Sequence, residues 1–209
     1  MTLTAELTYL AGPSIWVLDK REHPENRAIR GILSFLTGQD AETVTLDHDL
    51  YGKLITPPSL DLSVSRAGNF FIIGAIREGK IGVDIEILSR RVDEISMPWL
   101  CFTDSEKKRI NSLPIEKREK AFLECWTAKE AFVKAIGLGL QFGLEQVEME
   151  PSKNGILCIT RINGSQQLSL GWHLKQEWVY RDGQEAIISV VHSTTYNPIL
   201  FLFQPWSTS

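Results

Sequence analysis

Hydrophobic positions recur with two different periods along the chain, and each period predicts a type of element. Apolar residues three and four positions apart predict helices over residues 25–37, 103–111 and 114–136. Pro114 suits the first turn of the third helix, and Gly137 suits its end. Helices therefore occupy one early block and one central block of the chain.

Shorter apolar runs bounded by turn residues predict strands. The tight turn REGK at 77–80 predicts an antiparallel hairpin between the strands on either side of it. Turns at 163–164 and 182–183 predict a meander of the three strands that follow the helices. The predicted strands are LDLSVS (60–65), NFFIIGAI (69–76), IGVDIEI (81–87), GILCITRI (155–162), LSLGWHL (168–174), AIISVV (186–191) and a last one within PILFLFQPW (198–206).

Helices accompanied by antiparallel strands occur in both halves of the chain, and this arrangement is typical of an α+β fold. We expect two similar α/β halves, at residues 1–95 and 96–209. Two internal halves would make a monomer self-sufficient.

The composition is that of an ordinary globular protein, with 43% hydrophobic and 23% charged residues. A net charge of −4 disfavours a nucleic-acid partner. The three cysteines lie far apart and are expected to be reduced thiols. No apolar run is long enough to cross a bilayer, and we identify no signal peptide. We therefore expect a cytoplasmic protein that does not bind membranes.

Acidic residues share one face of the strand predicted at 81–87. Its period of two places Gly82, Asp84 and Glu86 together, opposite the isoleucine and valine side chains. Carboxylates beside a glycine, which leaves room for approach, suit Mg²⁺ with water and a phosphate. A solvated strand edge explains the same pattern without any ion.

Charged residues also interrupt the apolar face of the helix at 114–136. Lys129 falls inside the apolar arc, whereas Glu130 and Lys134 lie at its edge. If the helix packs across the strand, Glu130 adds a third carboxylate and the two lysines suit a diphosphate. A snorkelling Lys129 and an ordinary Glu–Lys pair four residues apart are the structural alternatives.

Two motifs then point to a family. GVDIE at 82–86, followed by WTAKEAFVKAIGLGL at 126–140, resembles the signature pair of the Sfp-type (group II) 4′-phosphopantetheinyl transferases. Weaker similarities support it, at YGK (51–53), LDLSVS and FTDSE (102–106).

The resemblance implies a Mg²⁺-dependent enzyme that transfers phosphopantetheine from coenzyme A to a serine of an acyl or peptidyl carrier protein. Adenosine 3′,5′-bisphosphate would be the second product. Asp84, Glu86 and Glu130 would hold the metal ion. The groups implied to contact the phosphates of the coenzyme are Lys53, Ser63, Lys129 and Lys134, and Lys134 would also act in catalysis.

Glu106 has two interpretations. The family resemblance implies a catalytic role in deprotonating the attacking serine. The segment from Thr103 to Glu106 is also a capping box, in which the glutamate bonds back to the start of a helix. Both roles cannot be filled at once.

This sequence departs from the family pattern at the expected contact to the 3′-phosphate of coenzyme A. Val64 stands where the family has a histidine, and valine offers neither charge nor a hydrogen bond. Arg30, with Arg27 beside it, is a candidate replacement, and Arg66 is another. We therefore expect weak discrimination between coenzyme A and dephospho-coenzyme A.

Two other classes of function remain open on these residues. A degenerate relative would keep the fold and serve as a carrier-protein or nucleotide-binding module. A Mg²⁺-dependent phosphohydrolase would use the same acids on another substrate. All the acids that the family pattern requires are present, and so are both lysines of the helix at 114–136, which favours the transferase.

Overall fold

Three helices lie where the apolar period predicts them. In the computed structural model, which describes residues 12–88, 99–194 and 199–201, they are α1 (Glu25–Thr37), α2 (Asp104–Ser112) and α3 (Ile115–Ile136). Each agrees with its predicted range to within one residue. Gly137 ends α3 with a φ of 72°, a left-handed conformation that glycine adopts without strain.

Nine strands are described, and five of the predicted ones are confirmed, at 60–65, 69–76, 81–87, 155–162 and 186–191. The strand predicted at 168–174 is wrong for 168–172, because a 3₁₀ turn and a second turn occupy that segment, and a strand begins only at His173. The segment predicted at 198–206 forms a strand over 199–201, and its remainder lies outside the described residues. The strands are β1 (Ser14–Asp19), β2 (Leu60–Ala67), β3 (Phe70–Arg77), β4 (Ile81–Ile87), β5 (Val147–Pro151), β6 (Leu157–Ile162), β7 (His173–Arg181), β8 (Gln184–His192) and β9 (Ile199–Phe201).

The strands form two larger sheets that share a topology over three strands. The first has the order β2-β3-β1-β9 and the second has the order β4-β8-β7, with β5 and β6 as a separate pair. In each sheet the strand that precedes the helices pairs antiparallel with the last strand that follows them, β1 with β3 and β4 with β8. The fold is therefore α+β, and it is built from two similar halves.

The predicted hairpin between β3 and β4 is wrong. Both edges of β3 are already occupied, by β1 on one side and β2 on the other, so β4 cannot pair with β3. β4 instead crosses to the second sheet and pairs with β8. The predicted meander is also wrong, because β6 pairs with β5 and not with β7, which pairs with β8. The division at residue 95 stays a prediction, although strand pairing groups β4 with the strands that follow α3.

Four layers stack in the order α1, first sheet, second sheet, α3. Alternation along β1 shows this, since Trp16 and Leu18 pack towards α1 whereas Ile15 and Val17 pack between the sheets. A third apolar cluster fills the space between the second sheet and α3. Every layer is joined to the next by buried apolar surface, the main favourable contribution to folding.

Polar side chains join the edges of the two sheets. Asp61 Oδ2 accepts a hydrogen bond from the amide of Ile81 at 2.8 Å, and Ser63 Oγ accepts one from the amide of Val83 at 3.1 Å. These β2 side chains satisfy β4 amides that have no neighbouring strand on that side. The contact fixes β4 between β2 and β8.

Gly82 allows the backbone of α3 to lie directly on β4. A Cβ at this position would stand 1.8 Å from the carbonyl oxygen of Ala131 and 2.4 Å from the amide nitrogen of Ala135. Both of these are backbone atoms, so no side-chain rotation relieves the clash. The glycine predicted to leave room for a ligand therefore leaves room for the helix.

Replacing Gly82 by alanine should destabilise the protein by about 2–3 kcal/mol, because α3 must move off the strand. Urea unfolding followed by circular dichroism measures the difference. Gly31→Ala is the matched control, since nothing lies within 4 Å of the added Cβ on α1. That change should stabilise the helix by about 0.5–1 kcal/mol. Equal effects of the two substitutions would contradict the proposed contact.

Within the described ranges, no helix combines the length and the apolar character that a bilayer crossing requires.

Candidate active site

The acidic face of β4 lies against α3, as the strand period predicts. Ile81, Val83 and Ile85 belong to the apolar cluster between the sheets. Asp84 and Glu86 therefore project to the opposite side, where α3 presents Glu130. The structure thus brings β4 and α3 together as the sequence hypothesis requires.

Asp84 is the most buried of the three acids, with 3% of its surface exposed. Its Oδ1 accepts hydrogen bonds from Ser65 Oγ at 2.6 Å and from Lys134 Nζ at 2.6 Å. Its Oδ2 is buried and has no hydrogen-bond partner among the described residues. Burial raises the pKa of Asp84, and the Lys134 ammonium opposes that rise. A buried carboxylate oxygen without a partner is a candidate ligand for a cation.

Glu86 and Glu130 respond to the charge of Asp84. Burial, followed by the charge of Asp84, raises the pKa of Glu86 to about 7. The same two causes, in the same order, raise the pKa of Glu130. Lys134 is the cation that opposes each shift. Three carboxylates thus share one ammonium, and the group carries an excess of negative charge.

The carboxylates do not form a ready-made metal site. In the part of the chain that the structure describes, no three aspartate, glutamate, histidine or cysteine side chains are grouped closely enough to hold one ion. The all-oxygen donor set and the unpartnered Asp84 Oδ2 fit the chemistry of Mg²⁺. Sharing an ion requires the half-buried Glu86 and Glu130 side chains to turn towards Asp84.

A cavity of 430 Å³ opens beside Lys134, between α1, β2 and the end of α3. This volume lies within the range of small-molecule sites. Lys134 and Ser65 reach both the cavity and the Asp84 carboxylate. The cavity and the acidic group therefore form one candidate site.

Two predicted phosphate contacts line this cavity, but their polar atoms have partners within the protein. Lys53 Nζ lies 2.8 Å from Asp61 Oδ2 and donates to the carbonyl oxygens of Lys134 and Ala135 at 3.0 and 3.2 Å. Ser63 Oγ accepts the β4 amide bond described above. Lys53 therefore anchors the end of α3, which is a structural role that the resemblance does not imply.

Lys129 does not line the cavity. Its ammonium is fully buried, 2.8 Å from Glu106 Oε2, and donates to the carbonyl oxygens of Leu144 and Val147 at 2.9 and 2.5 Å. It lies about 140° around the helix from Lys134, so the two lysines face different neighbours. The predicted contact of Lys129 with phosphate therefore has no support in this geometry, because the ammonium neutralises a buried carboxylate instead.

Glu106 forms the capping box that the sequence predicts. Its Oε2 accepts the amide of Thr103 at 2.8 Å, and the Thr103 hydroxyl accepts the amide of Glu106. Its Oε1 accepts the amide of Met149 at 2.8 Å. Only 1% of the residue is exposed, and it is not among the residues that line the cavity. The structure supports the cap and the ion pair and gives no support to the predicted base.

The arginines proposed for the 3′-phosphate divide between two cavities. Arg30 and Arg27 line a second cavity, of 800 Å³, on another side of α1. Arg66 lines the 430 Å³ cavity together with Val64, and its Nε donates to Glu25 Oε2 at 2.7 Å. Arg66 is therefore the better placed of the candidates, although a carboxylate already holds it.

Sequence reasoning gave no role to Ser65. Ser65 continues the alternation of Asp61 and Ser63 along β2, and this polar period was the signal for it.

Carboxylates beside an ammonium group, at the end of a cavity of this size, define a candidate site for a phosphate ester and a divalent ion. The family model described as the 4′-phosphopantetheinyl transferase superfamily matches residues 80–191, more than half of the chain. The chain belongs to that superfamily.

Two curated 4′-phosphopantetheinyl transferases are similar in sequence to this chain. The 4′-phosphopantetheinyl transferase HetI of Nostoc sp. is 31% identical over 135 residues, which cover 60% of this chain and 56% of HetI. The transferase psf-1 of Bacillus pumilus is 27% identical over 129 residues, 61% of this chain and 54% of that protein. The chain thus spans about half the length of these curated relatives.

A solved structure shows a more distant likeness. A holo-(acyl-carrier-protein) synthase from Bacillus anthracis, in complex with CoA (3′,5′-ADP), aligns with a TM-score of 0.40 and 19% identity. The alignment covers 55% of this chain and 96% of that chain.

Proposed function

We propose that this protein transfers the 4′-phosphopantetheine group of coenzyme A to a serine of an acyl or peptidyl carrier protein. The reaction depends on Mg²⁺ and releases adenosine 3′,5′-bisphosphate. One observation carries the proposal. Asp84, within the region matched by the family model, presents a free buried oxygen beside Lys134 at the end of a 430 Å³ cavity.

The cavity supplies the binding site for the coenzyme in this proposal. Lys134 is 30% exposed at its side chain, so its ammonium can reach a phosphate oxygen without leaving Asp84. The Ser65 hydroxyl lies 2.9 Å from the same ammonium and keeps it oriented. Lys53 holds the end of α3 and thereby the backbone on which Lys134 is placed.

The transfer exchanges one phosphorus–oxygen bond for another. The serine oxygen attacks the phosphorus that carries the pantetheine arm, and the bond to the bridging oxygen of the diphosphate breaks. The serine proton passes to a water molecule of the solvent, and adenosine 3′,5′-bisphosphate departs with the bridging oxygen and its electron pair. Lys134 offsets the negative charge that develops on the transferred phosphoryl group.

Asp84, Glu86 and Glu130 would hold the magnesium ion. A bound Mg²⁺ would supply Lewis-acid neutralisation of the diphosphate. Without the ion, the excess negative charge of these acids would repel the substrate. We expect them to bind the ion by turning the two glutamates towards the free oxygen of Asp84.

Intact-mass spectrometry of a carrier protein tests the proposed reaction. The apo-carrier is incubated with this protein, Mg²⁺ and coenzyme A, across a panel of acyl and peptidyl carriers. A gain of one phosphopantetheine group on a carrier supports the transferase. Carrier binding without any mass gain would favour the alternative, a degenerate relative that serves as a binding module. Cleavage of the coenzyme in the absence of carrier would favour a phosphohydrolase. Sedimentation of the same sample checks the expected monomer.

Donor discrimination should be weak, because Val64 lines the cavity where the family has a histidine. We expect kcat/KM for coenzyme A to exceed that for dephospho-coenzyme A by less than about tenfold. This ratio corresponds to the free energy of one charge-assisted hydrogen bond or less. Arg66→Gln should remove whatever preference remains. Arg27→Gln is the matched control, since Arg27 lines the other cavity. A large preference that neither substitution reduces would contradict the expectation.

A further inference from the structure

The lysine and arginine side chains that line the 430 Å³ cavity differ in how firmly carboxylates hold them. Lys53 pairs with Asp61 and Lys134 pairs with Asp84, and both carboxylates are buried. Each carboxylate also accepts a second hydrogen bond, Asp61 from a backbone amide of β4 and Asp84 from a serine hydroxyl of β2. Neither can turn away from its lysine without leaving that second donor. These two ion pairs are therefore fixed parts of the fold.

Arg66 is held by a carboxylate that has no second attachment. Its Nε donates to Glu25 Oε2 at 2.7 Å, and its Nη2 donates to Glu25 Oε1. Glu25 is the first residue of α1 and lines the same cavity. Within the part of the chain that the structure describes, its carboxylate accepts no other side-chain or backbone donor. The side chains of Glu25 and Arg66 are 20% and 50% exposed, so this pair can separate into water at little cost.

Arg66 and Lys134 approach the cavity from opposite faces of β2. Ser65 contacts Lys134, whereas the next residue, Arg66, contacts α1. Successive side chains of a strand alternate between its two faces in this way. A ligand that reaches both cations therefore needs two separate anionic groups. Coenzyme A has two such groups, a diphosphate and a 3′-phosphate.

We propose that Glu25 sets the donor specificity of the reaction, because its carboxylate occupies the guanidinium of Arg66 and the 3′-phosphate of coenzyme A must displace it. The inference rests on the proposed function, since it concerns the donor of that reaction. Glu25 acts through Arg66 and need not touch the substrate.

The chemistry of the guanidinium makes this exchange nearly balanced. Arginine binds carboxylate and phosphate oxygens through the same pair of parallel N–H donors. Arg66 therefore keeps two charge-assisted hydrogen bonds before and after the exchange, and no covalent bond changes. The 3′-phosphate gains only the difference between the two partners. Weak discrimination between coenzyme A and dephospho-coenzyme A follows from this balance as well as from Val64.

Glu25→Gln should release Arg66 for the phosphate. Glutamine keeps the size of the side chain and one neutral acceptor, but it loses the charge that competes with the ligand. We expect the ratio of the dissociation constants, dephospho-coenzyme A over coenzyme A, to rise by about tenfold, since a charge-assisted hydrogen bond is no longer given up on binding. Calorimetry with Mg²⁺ and without a carrier measures both constants in the absence of transfer.

Glu22→Gln is the matched control. Glu22 lies three residues earlier, pairs with Arg181 at 3.8 Å and lines the 800 Å³ cavity instead. The substitution removes the same charge from the same segment of the chain. The ratio of the two dissociation constants should change by less than about twofold, because Glu22 does not contact Arg66.

A double-mutant cycle shows whether Glu25 acts through Arg66. In an Arg66→Gln background, Glu25→Gln should alter the ratio by less than about twofold. An unchanged ratio in Glu25→Gln would overturn the inference, and so would an equal rise in Glu22→Gln or a rise that persists without Arg66. A purely structural role of Glu25 at the start of α1 would lower the melting temperature and leave the ratio unchanged, which also overturns it.

The same variants separate this inference from the proposed function. A ratio that depends on Glu25 and Arg66, in a protein that modifies no carrier, would support the inference and contradict the transferase. Carrier modification with a donor preference unaffected by Glu25→Gln would do the reverse.

Discussion

Replacing Asp84 by asparagine should reduce phosphopantetheine transfer by about 10³-fold while leaving the protein folded. Removing one preorganised charged group from an active site costs about 10²–10³-fold in rate. Asp84 combines two such functions in the proposal, since one oxygen holds Lys134 and the other is free for the cation. Metal binding by the variant should fall together with the rate.

The stability of Asp84→Asn should change by about 1 kcal/mol or less. Asparagine keeps a carbonyl oxygen for the Ser65 hydroxyl. It loses the ion pair with Lys134, but it also loses the cost of burying a carboxylate, the cause that raises the pKa of Asp84. The Lys134 ammonium is part-exposed and can be hydrated once its partner is neutral.

Single-turnover transfer measurements and urea unfolding test the two parts separately. Glu185→Gln is the control, because Glu185 pairs with Lys120 outside the acidic group and should leave rate and stability nearly unchanged. Full activity of Asp84→Asn would contradict the proposed metal site. Loss of activity through unfolding would show that Asp84 is needed for folding and would leave its chemistry without support.

Replacing Lys129 by methionine should destabilise the protein by about 3–5 kcal/mol, because the carboxylate of Glu106 is left buried without its cation. The side chains of both residues are fully buried. Removing one partner of such a pair is far more costly than removing both, since an unpaired charge has no access to water.

The double variant Lys129→Met/Glu106→Gln should therefore lose less stability than the sum of the two single changes, by about 1–3 kcal/mol. The matched pair Lys120 and Glu185 is partly exposed, and its coupling should stay below about 1 kcal/mol. Chemical unfolding of the two sets of four proteins gives both coupling energies.

Coenzyme A binding distinguishes this structural role from the phosphate contact that the resemblance implies. At a temperature where Lys129→Met is folded, its affinity for coenzyme A should match that of the unmodified protein. A variant that is stable and binds the coenzyme poorly would restore Lys129 to the phosphate site. That result would require the buried ammonium to leave Glu106 in the complex.

Much of the local structure follows from the sequence. The helix ranges were predictable because helical period, capping and terminal glycines act over a few residues. The division of β4 into an apolar and an acidic face was predictable for the same reason, since successive side chains of a strand must alternate. The capping box of α2 needs only the four residues from Thr103 to Glu106.

Strand partners could not be predicted in the same way. The REGK turn is compatible with a hairpin, and only the occupation of both edges of β3 prevents one. β1, β5 and β7 were missed, the last apart from its first two residues. Pairing with the distant β3 and β9 defines β1, whereas β5 and β7 each pair with the next strand along the chain. β9 shows the extreme case, as it pairs with β1 from the other end of the chain.

The sequence by itself determined which residues share a face, and it grouped Asp84 with Glu86 and Glu130 with Lys134 because backbone geometry sets those relations locally. Only the tertiary structure decided what each face meets. It placed α3 on Gly82, Lys134 on Asp84 and Lys129 on a buried Glu106. A long cationic side chain satisfies the same helical geometry whether it ends on a protein carboxylate or a bound phosphate. The groups that the fold brings within hydrogen-bond distance therefore decide which of these two partners the cation contacts.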